Sequence, residues 1–556
     1  MRRHDVEHTF GQSIPSAFHL AAARAGIRQI AYREENAGGA MADGYARISG
    51  KVAVVTAQNG PAAALLVAPL MEALKASVPL VALVQDVQTD AVDRNAFQEM
   101  DHRAVLGPCT KWVGRIDDPA RVDDLVDLAF ATAASGRAGP VALLVPEDVL
   151  EEESPGEPDR TAELGYFPLD RQLPEQSRLE EAAVRLSTAE APLVIAGGGV
   201  HLSGASAALA RLQEACHLPV GTTTMGKGAV DEEHRLSLGV IGDLMDEGSR
   251  THSFRELIGE SDVVLLVGTR TNQNGTAHWG LFPEAADFIH IDVDGSEVGR
   301  NYDSLRLVAD ARMTLEALTD RLLEIDLTSL ASRRPELERR IEEGHAAFGR
   351  ATSEVIASES HPIRPERLMR EIDARLTPET IVTADASYAP VWMANYLIAR
   401  APGSRFVCGR GLAGLGWGMP LAMGAKLAAP DRPVICLTGD GGFGHCWAEL
   451  ETAVRCDVPV VTVVLNNQVL AYTRDDEEAS FGDHTSACDL GFVDHAAIAR
   501  ACGAVGITVQ EPEDIGGAMD QALASGSPTL IDAIVDPHAR PPVNMLEGKL
   551  PAFAGA

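Results

Sequence analysis

An apolar run, Val434-Ile435-Cys436-Leu437-Thr438, opens directly into Gly439-Asp440-Gly441-Gly442-Phe443-Gly444, and helical residues follow from about Trp447 to Val454. Glycines between a strand and a helix let backbone N–H groups approach a phosphate, and the helix N-terminus favours its negative charge. A second apolar run, Val460–Leu465, ends in Asn466-Asn467. Asp440 and Asn467 are thus one strand–helix–strand unit apart, which brings both side chains to the same carboxyl edge of a parallel sheet. A carboxylate, an amide oxygen and a neighbouring main-chain carbonyl suit a hard ion such as Mg²⁺ that bridges to a diphosphate.

The spacing of Gly439-Asp440-Gly441 and Asn466-Asn467 resembles the thiamine diphosphate (ThDP) binding motif, and the whole chain resembles the acetolactate synthase/pyruvate decarboxylase superfamily. The resemblance implies that Gly439, Asp440, Gly441, Gly442 and Asn467 bind the cofactor, with Ser387 beside them. It also implies Mg²⁺ ligation by Asp440, Asn467 and the main-chain oxygen of Val469. A second segment, Arg33-Glu34-Glu35-Asn36-Ala37-Gly38-Gly39-Ala40-Met41-Ala42-Asp43-Gly44-Tyr45-Ala46-Arg47, is similar to the family's stretch around its invariant glutamate, which falls on Glu35. A carboxyl group against N1′ of the aminopyrimidine promotes the imino tautomer, whose nitrogen takes the thiazolium C2 proton. Glu34 stands where the synthases usually have His. Gly411–Pro420 resembles the stretch under the cofactor, placing Leu415 as the wedge between its rings and the Ala413 carbonyl as acceptor for the 4′-amino group. Gln58-Asn59-Gly60-Pro61 corresponds to the loop that packs on the pyrimidine, which makes Gly60 and Pro61 cofactor-binding. Phe97 and Gln98 face the substrate side, with Gln98 a catalytic candidate.

Positioning such groups takes parallel sheets, and short β-branched runs alternate with Ala/Leu-rich helical stretches along the whole chain. The expected fold is α/β, with three doubly wound parallel-sheet domains. They are a pyrimidine-binding domain over 1–155, a central Rossmann-like domain over 176–345 and a diphosphate-binding domain over 360–540. Glu151 to Glu175 and His361–Pro365 read as linkers, and the tail from Asp536 as an irregular closing segment. Strands are expected at Val52–Thr56, Pro79–Val84, Pro140–Val145, Val263–Val267, Phe288–Val293, Thr380–Ala384, Pro433–Thr438, Pro459–Leu465 and Pro528–Ile534. In the family the two cofactor-binding halves meet across a subunit interface, so a homodimer or homotetramer is implied. Some members hold FAD in the central domain. Gly197-Gly198-Gly199 is not a dinucleotide fingerprint, so FAD stays open and is not favoured.

The net charge of −33 on 556 residues would repel nucleic acid and anionic bilayers. No apolar run is long enough to span a membrane and no signal core follows Met1, so a cytoplasmic location is expected. The chain starts abruptly before the Val6–Gly11 strand, through either a short N-terminus or an internal start. Eight scattered cysteines without a CxxC pair read as buried apolar residues in a reducing compartment.

The implied reaction is decarboxylation of a 2-keto acid, after which the product fragment is protonated or joined to a second carbonyl. Three departures leave the substrate open. Glu147 takes the place of a lysine used by biosynthetic synthases, Asp475-Asp476-Glu477-Glu478 lies where they carry a tryptophan, and Gln12-Ser13 replaces Tyr-Pro or Val-Pro. An acetolactate synthase-like transferase is the first reading. The others are a lyase or acetyltransferase acting on an acyl-CoA or sulfonated donor, and a non-catalytic cofactor-binding homologue.

Overall fold

A computed structural model describes residues 1–153 and 160–543, so part of the first linker (154–159) and of the closing segment (544–556) lies outside the described residues. Three six-stranded sheets follow one another along the chain. The first contains β1 (His8–Phe10), β2 (Arg28–Ile30), β3 (Ala53–Ala57), β4 (Leu80–Asp86), β5 (Val113–Arg115) and β6 (Val141–Pro146), in the order β2-β1-β3-β4-β6-β5. The second contains β7 (Pro192–Ala196), β8 (Val220–Thr222), β9 (Ser237–Val240), β10 (Val263–Val267), β11 (Asp287–Asp292) and β12 (Ser304–Val308), ordered β12-β11-β10-β7-β8-β9. The third contains β13 (Ile381–Ala384), β14 (Arg405–Cys408), β15 (Val434–Gly439), β16 (Val461–Asn466), β17 (Val505–Val509) and β18 (Thr529–Ile534), ordered β14-β13-β15-β16-β18-β17.

Every strand pair in the three sheets is parallel. Helices therefore cover both faces of each sheet, which is why strands such as β3, β10 and β16 are buried at every position and read as unbroken apolar runs. The first and third sheets share one strand order, while the second has the Rossmann order. Expected strand boundaries hold to within one or two residues. The helix Thr328–Ile356 runs unbroken past residue 345, beyond the expected end of the central unit. None of the eight cysteines is paired, and only Cys502 is not fully buried.

The outer units pack as one body. A single apolar core runs from Phe10 and Met41 in the first unit through Met419 and Met423 to Leu530 in the third. At its centre the helix Glu35–Ser49 crosses the helix Gly418–Ala428 with backbones almost in contact. A Cβ on Gly44 would lie 2.2 Å from the Leu421 carbonyl oxygen, and one on Gly424 would lie 1.9 Å from that of Met41. In a solvated helix Gly→Ala gains about 1 kcal/mol of helix propensity. Here the methyl meets rigid backbone, so the clash wins. Gly424→Ala is expected to cost about 3 kcal/mol, the upper end for over-packing, and to lower the thermal midpoint by several degrees in a calorimetric scan.

Candidate functional site

In the third unit β13 and β15 are neighbours, yet their connections leave in opposite directions, which opens a crevice at their carboxyl ends. Asp440 lies there, at the start of a short helix just after β15, 7% exposed. Its Oδ1 accepts from the Gly441 amide at 2.9 Å and its Oδ2 from the Gln468 amide at 2.7 Å. Gln468 adopts a left-handed φ of 59°, which turns the chain after β16 back toward Asp440. Asn467 Oδ1 accepts from the Val469 amide at 3.2 Å. The Leu470 amide and the Gln468 carbonyl are tied to Cys488 and Leu490, which fixes the turn from the other side. Asn466 points away, donating to Val493 and to Asp532. The Asn pair thus divides into one anchor and one group beside the carboxylate.

The crevice suits an ion and a diphosphate. A Cβ on Gly439 would meet nothing within 4 Å, whereas one on Gly442 would lie 2.3 Å from Asp385 Oδ2 and one on Gly441 2.5 Å from Leu470. Burial pushes the Asp440 carboxyl up to about 6, and its two amide hydrogen bonds only partly offset that. A hard cation would supply the missing counter-charge.

Asp385, directly after β13, was not singled out from the sequence. It is 1% exposed and accepts from the amides of Ala386, Gly416, Trp417 and Gly418 and from the Thr438 hydroxyl. It therefore fixes the end of the loop that carries Ala413 and Leu415. Ser387 follows with φ 73° and Ala413 has φ 60°, both strained values for residues with a Cβ. Leu415 is 37% exposed and Leu412 48% exposed.

In the first unit Glu35 begins the helix Glu35–Ser49 and is 8% exposed. Burial raises its carboxyl above the usual range, and the neighbouring Glu34 charge adds to the rise. The residues leading into it are held from two sides. Glu449, at the start of the helix Glu449–Arg455, accepts from the Arg33 and Glu34 amides, and Gln12 donates to the Arg33 carbonyl at 2.9 Å. Gln12, a departure from the family pattern, is therefore part of the support for Glu35.

Gln58 to Pro61 follow β3. Gln58 donates to Gln98 Oε1 at 2.6 Å, and Asn59 donates to the Phe97 and Gln98 carbonyls. A Cβ on Gly60 would lie 2.7 Å from the Gln98 carbonyl oxygen, and its φ is 70°, so only glycine fits. Pro61 is the first residue of the helix that follows. The loop and Gln98 thus form one assembly, while Phe97 is 84% exposed.

Beneath them lies His102, 2% exposed and absent from the sequence reading. Its Nε2 accepts from the Gly60 amide at 3.0 Å and its Nδ1 faces Asp86 at 3.1 Å. A backbone N–H only donates, so Nε2 is unprotonated and Nδ1 carries the hydrogen. For Asp86, burial favours the neutral acid, yet hydrogen bonds from His102 and Arg115 prevail and bring its carboxyl down to about 2. His102→Ala would leave the Gly60 amide without its acceptor, at about 1–3 kcal/mol. Its thermal midpoint is expected to fall, and His102→Gln, whose Oε1 reaches the same place, to recover most of the loss.

Among the described residues no hydrogen bond or ion pair joins the Glu35 side chain to Asp440, Asn467 or the Ala413–Leu415 loop, although the next residue, Asn36, accepts from Trp417 Nε1 at 2.9 Å. The acidic run at 475–478 is partly neutralised: Asp475 is 3% exposed, accepts from Tyr388 at 2.7 Å and pairs with Arg474 at 2.9 Å. Glu147 begins the short helix after β6 and accepts from Gln88 at 3.2 Å.

The central unit borders a cavity of about 330 Å³, lined by Gly198, Gly199, Gly268, Arg270, Asp292 and Arg410 among others. Two of the three consecutive glycines, Gly197 and Gly199, have a packing reason. A Cβ on Gly197 or Gly199 would lie within 2.7 Å of the Gly268 backbone.

Comparison with known proteins gives three matches in series. Residues 1–105 match the thiamine pyrophosphate enzyme N-terminal TPP binding domain, 179–318 the central domain and 385–533 the C-terminal TPP binding domain. The chain is 32% identical to the probable acetolactate synthase large subunit of Methanococcus aeolicus over 94% of its own length and 88% of the relative's. It is 33% identical to the acetolactate synthase large subunit of Parasynechococcus marenigrum over 96% and 86%. Together with the three parallel sheets, these matches place the chain in the thiamine diphosphate-dependent, acetolactate synthase-like superfamily, and it is a ThDP-dependent enzyme.

Proposed function

We propose that the protein is a Mg²⁺-dependent 2-keto acid decarboxylase and carboligase of the acetolactate synthase kind. The observation that carries this reading is the turn at Asp440, where a buried carboxylate holds the amide that follows Asn467 and a Cβ on the adjoining Gly439 would meet open space. When bound, ThDP supplies a carbon centre that takes up the negative charge left by departing CO₂. Asp440, Asn467 and the Val469 carbonyl would hold Mg²⁺, while Gly439, Gly441, Gly442 and Ser387 let the diphosphate approach. Glu35 would hold a proton at the pyrimidine N1′, the Ala413 carbonyl would accept from the 4′-amino group and Leu415 would keep the two rings bent. Gly60 and Pro61 would pack on the pyrimidine, and Gln98 would face the substrate side.

The three units, taken as 1–155, 176–345 and 360–540, divide this labour between pyrimidine, spacer and diphosphate. A homodimer or homotetramer fits the bare apolar side chains of Phe97, Leu412 and Leu415 at the edges of the two halves. FAD is left out of this reading because Gly197-Gly198-Gly199 is not a dinucleotide fingerprint; visible absorbance of the purified protein tests that directly. The net charge of −33 argues against nucleic acid and anionic bilayers as partners, and among the described residues no helix is long and apolar enough to cross a membrane.

Glu147 and the 475–478 run depart from the biosynthetic synthases and leave one alternative, a lyase or acetyltransferase acting on an acyl-CoA or sulfonated donor, to which the Ala57–Pro61 segment points. Incubation with ThDP, Mg²⁺ and a panel of 2-keto acids, acyl-CoA and sulfonated compounds, with CO₂ and products followed by mass spectrometry, separates the two. Pyruvate consumption with a C–C bonded product is expected. Turnover of the acyl-CoA or sulfonated compounds alone would move the assignment to the alternative, and no CO₂ release from any keto acid would reject the first reading.

A further inference from the structure

The loop that leads to Ala413 and Leu415 is gripped from the first unit as well as the third. Glu72, on the helix Val67–Ala76, is 3% exposed. Its Oε1 accepts from the amides of Arg410 at 2.9 Å and Gly411 at 2.8 Å, and its Oε2 from those of Leu412 and of Ala413 at 3.1 Å. Four consecutive N–H groups converging on one anion make a backbone nest, and each bond is charge-assisted. The approach is close: a Cβ on Gly411 would lie 2.7 Å from the Glu72 carbonyl oxygen and 2.8 Å from Lys75 Cβ. Arg47 stands 3.5 Å from Oε1 but is also paired with Asp43 at 2.6 Å, so one guanidinium is shared by two buried carboxylates and the four amides supply the remaining stabilisation of Glu72.

With Asp385 holding the amides of residues 416–418, only Gly414 and Leu415 lie between the two carboxylates. The nest ends on Ala413, whose left-handed backbone sets where its carbonyl points. We infer that Glu72 is a positioning residue for the thiamine part of the cofactor. It acts across the unit boundary by fixing the Arg410–Ala413 backbone so that the Ala413 carbonyl and the Leu415 side chain face the ligand. The inference rests on the proposed roles of that loop. It differs from a purely structural role for Glu72, which would affect both ends of the cofactor site alike.

The test uses full-length wild type, Glu72→Gln and Gly411→Ala. Glutamine keeps the size but offers one oxygen to four amides, and its amino group faces the rest. The alanine leaves the carboxylate's charge in place but pushes the loop off it, since its Cβ would lie 2.7 Å from the Glu72 carbonyl oxygen and 3.1 Å from the Glu72 carboxyl carbon, so it serves if Glu72→Gln folds poorly. Three quantities are measured: ThDP affinity in the presence of Mg²⁺ by tryptophan fluorescence, Mg²⁺–pyrophosphate affinity by calorimetry, and amide exchange over 410–418 in cofactor-free protein. Trp417, 3% exposed, sits in the loop as a reporter. Both variants are expected to bind ThDP about tenfold more weakly or worse, equivalent to one or two lost hydrogen bonds. Pyrophosphate binding is expected to stay near wild type, and exchange at 410–413 to quicken. Wild-type ThDP affinity in both variants, or an equal loss of pyrophosphate, would overturn the inference. A wild type that binds pyrophosphate but not ThDP would overturn the functional reading and this inference with it.

Discussion

Glu35→Gln is expected to lower turnover by about two to four orders of magnitude, the range by which a positioned proton-transfer group accelerates a reaction. The substitution keeps the shape and both hydrogen-bonding positions of the side chain, so the backbone anchors at Glu449 and Gln12 remain. What it removes is the ionisable carboxyl group. Burial and the Glu34 charge both lift the Glu35 carboxyl, which brings its proton closer to neutral pH than that of a solvated glutamate. Exchange of the ThDP C2 proton with deuterated solvent, followed by NMR, reports the same step without knowledge of the substrate. Both quantities are expected to collapse while ThDP affinity and circular dichroism stay close to wild type. Full turnover in Glu35→Gln would exclude Glu35 as the activating group.

The sheets and the Asp440 turn were legible because each is a local pattern. A strand buried on both faces must be apolar along its length, and β10 and β16 satisfy that from end to end. The turn announces itself by glycines that a close approach requires. Legibility fails where partners are far apart in sequence. Glu72 serves amides some 340 positions away, and Glu449 serves amides more than 400 positions away. Each looks like any other acidic residue on an amphipathic helix, and nothing in its own segment marks it as buried. His102 and Asp86 are hidden for the same reason, since the contact that gives them meaning is with a backbone amide at Gly60. Edge strands such as β2 and β17 are short or partly exposed, and the apolar run that reveals a buried strand is absent there. Gln12 shows the converse case, a residue that reads as a departure and is found holding the Arg33 carbonyl.

Asp440→Asn is expected to abolish cofactor binding and, in cofactor-free protein, to change the pH dependence of stability. The carboxyl rises from 3.8 to about 6 on folding, so the folded state binds the proton more tightly than the unfolded chain. Its contribution is fully present below 3.8 and is lost as the pH rises through about 6. The loss is on the order of 3 kcal/mol from a shift of this size. An asparagine does not titrate, so the variant lacks this slope. It also turns an amino group toward either the Gly441 or the Gln468 amide, at about 1–3 kcal/mol, but that cost is the same at every pH. The diagnostic is therefore the difference between the two proteins, not either midpoint alone. Without Mg²⁺ and ThDP, the variant's thermal midpoint is expected to gain on that of wild type between pH 4 and pH 8. With both present at pH 8, the wild-type midpoint rises by linkage and the variant's stays where it was. Parallel curves from pH 4 to 8 would mean that Asp440 is not held as a strained acid in the empty site. A variant stabilised by Mg²⁺ and ThDP as much as wild type would mean that the ion is held elsewhere.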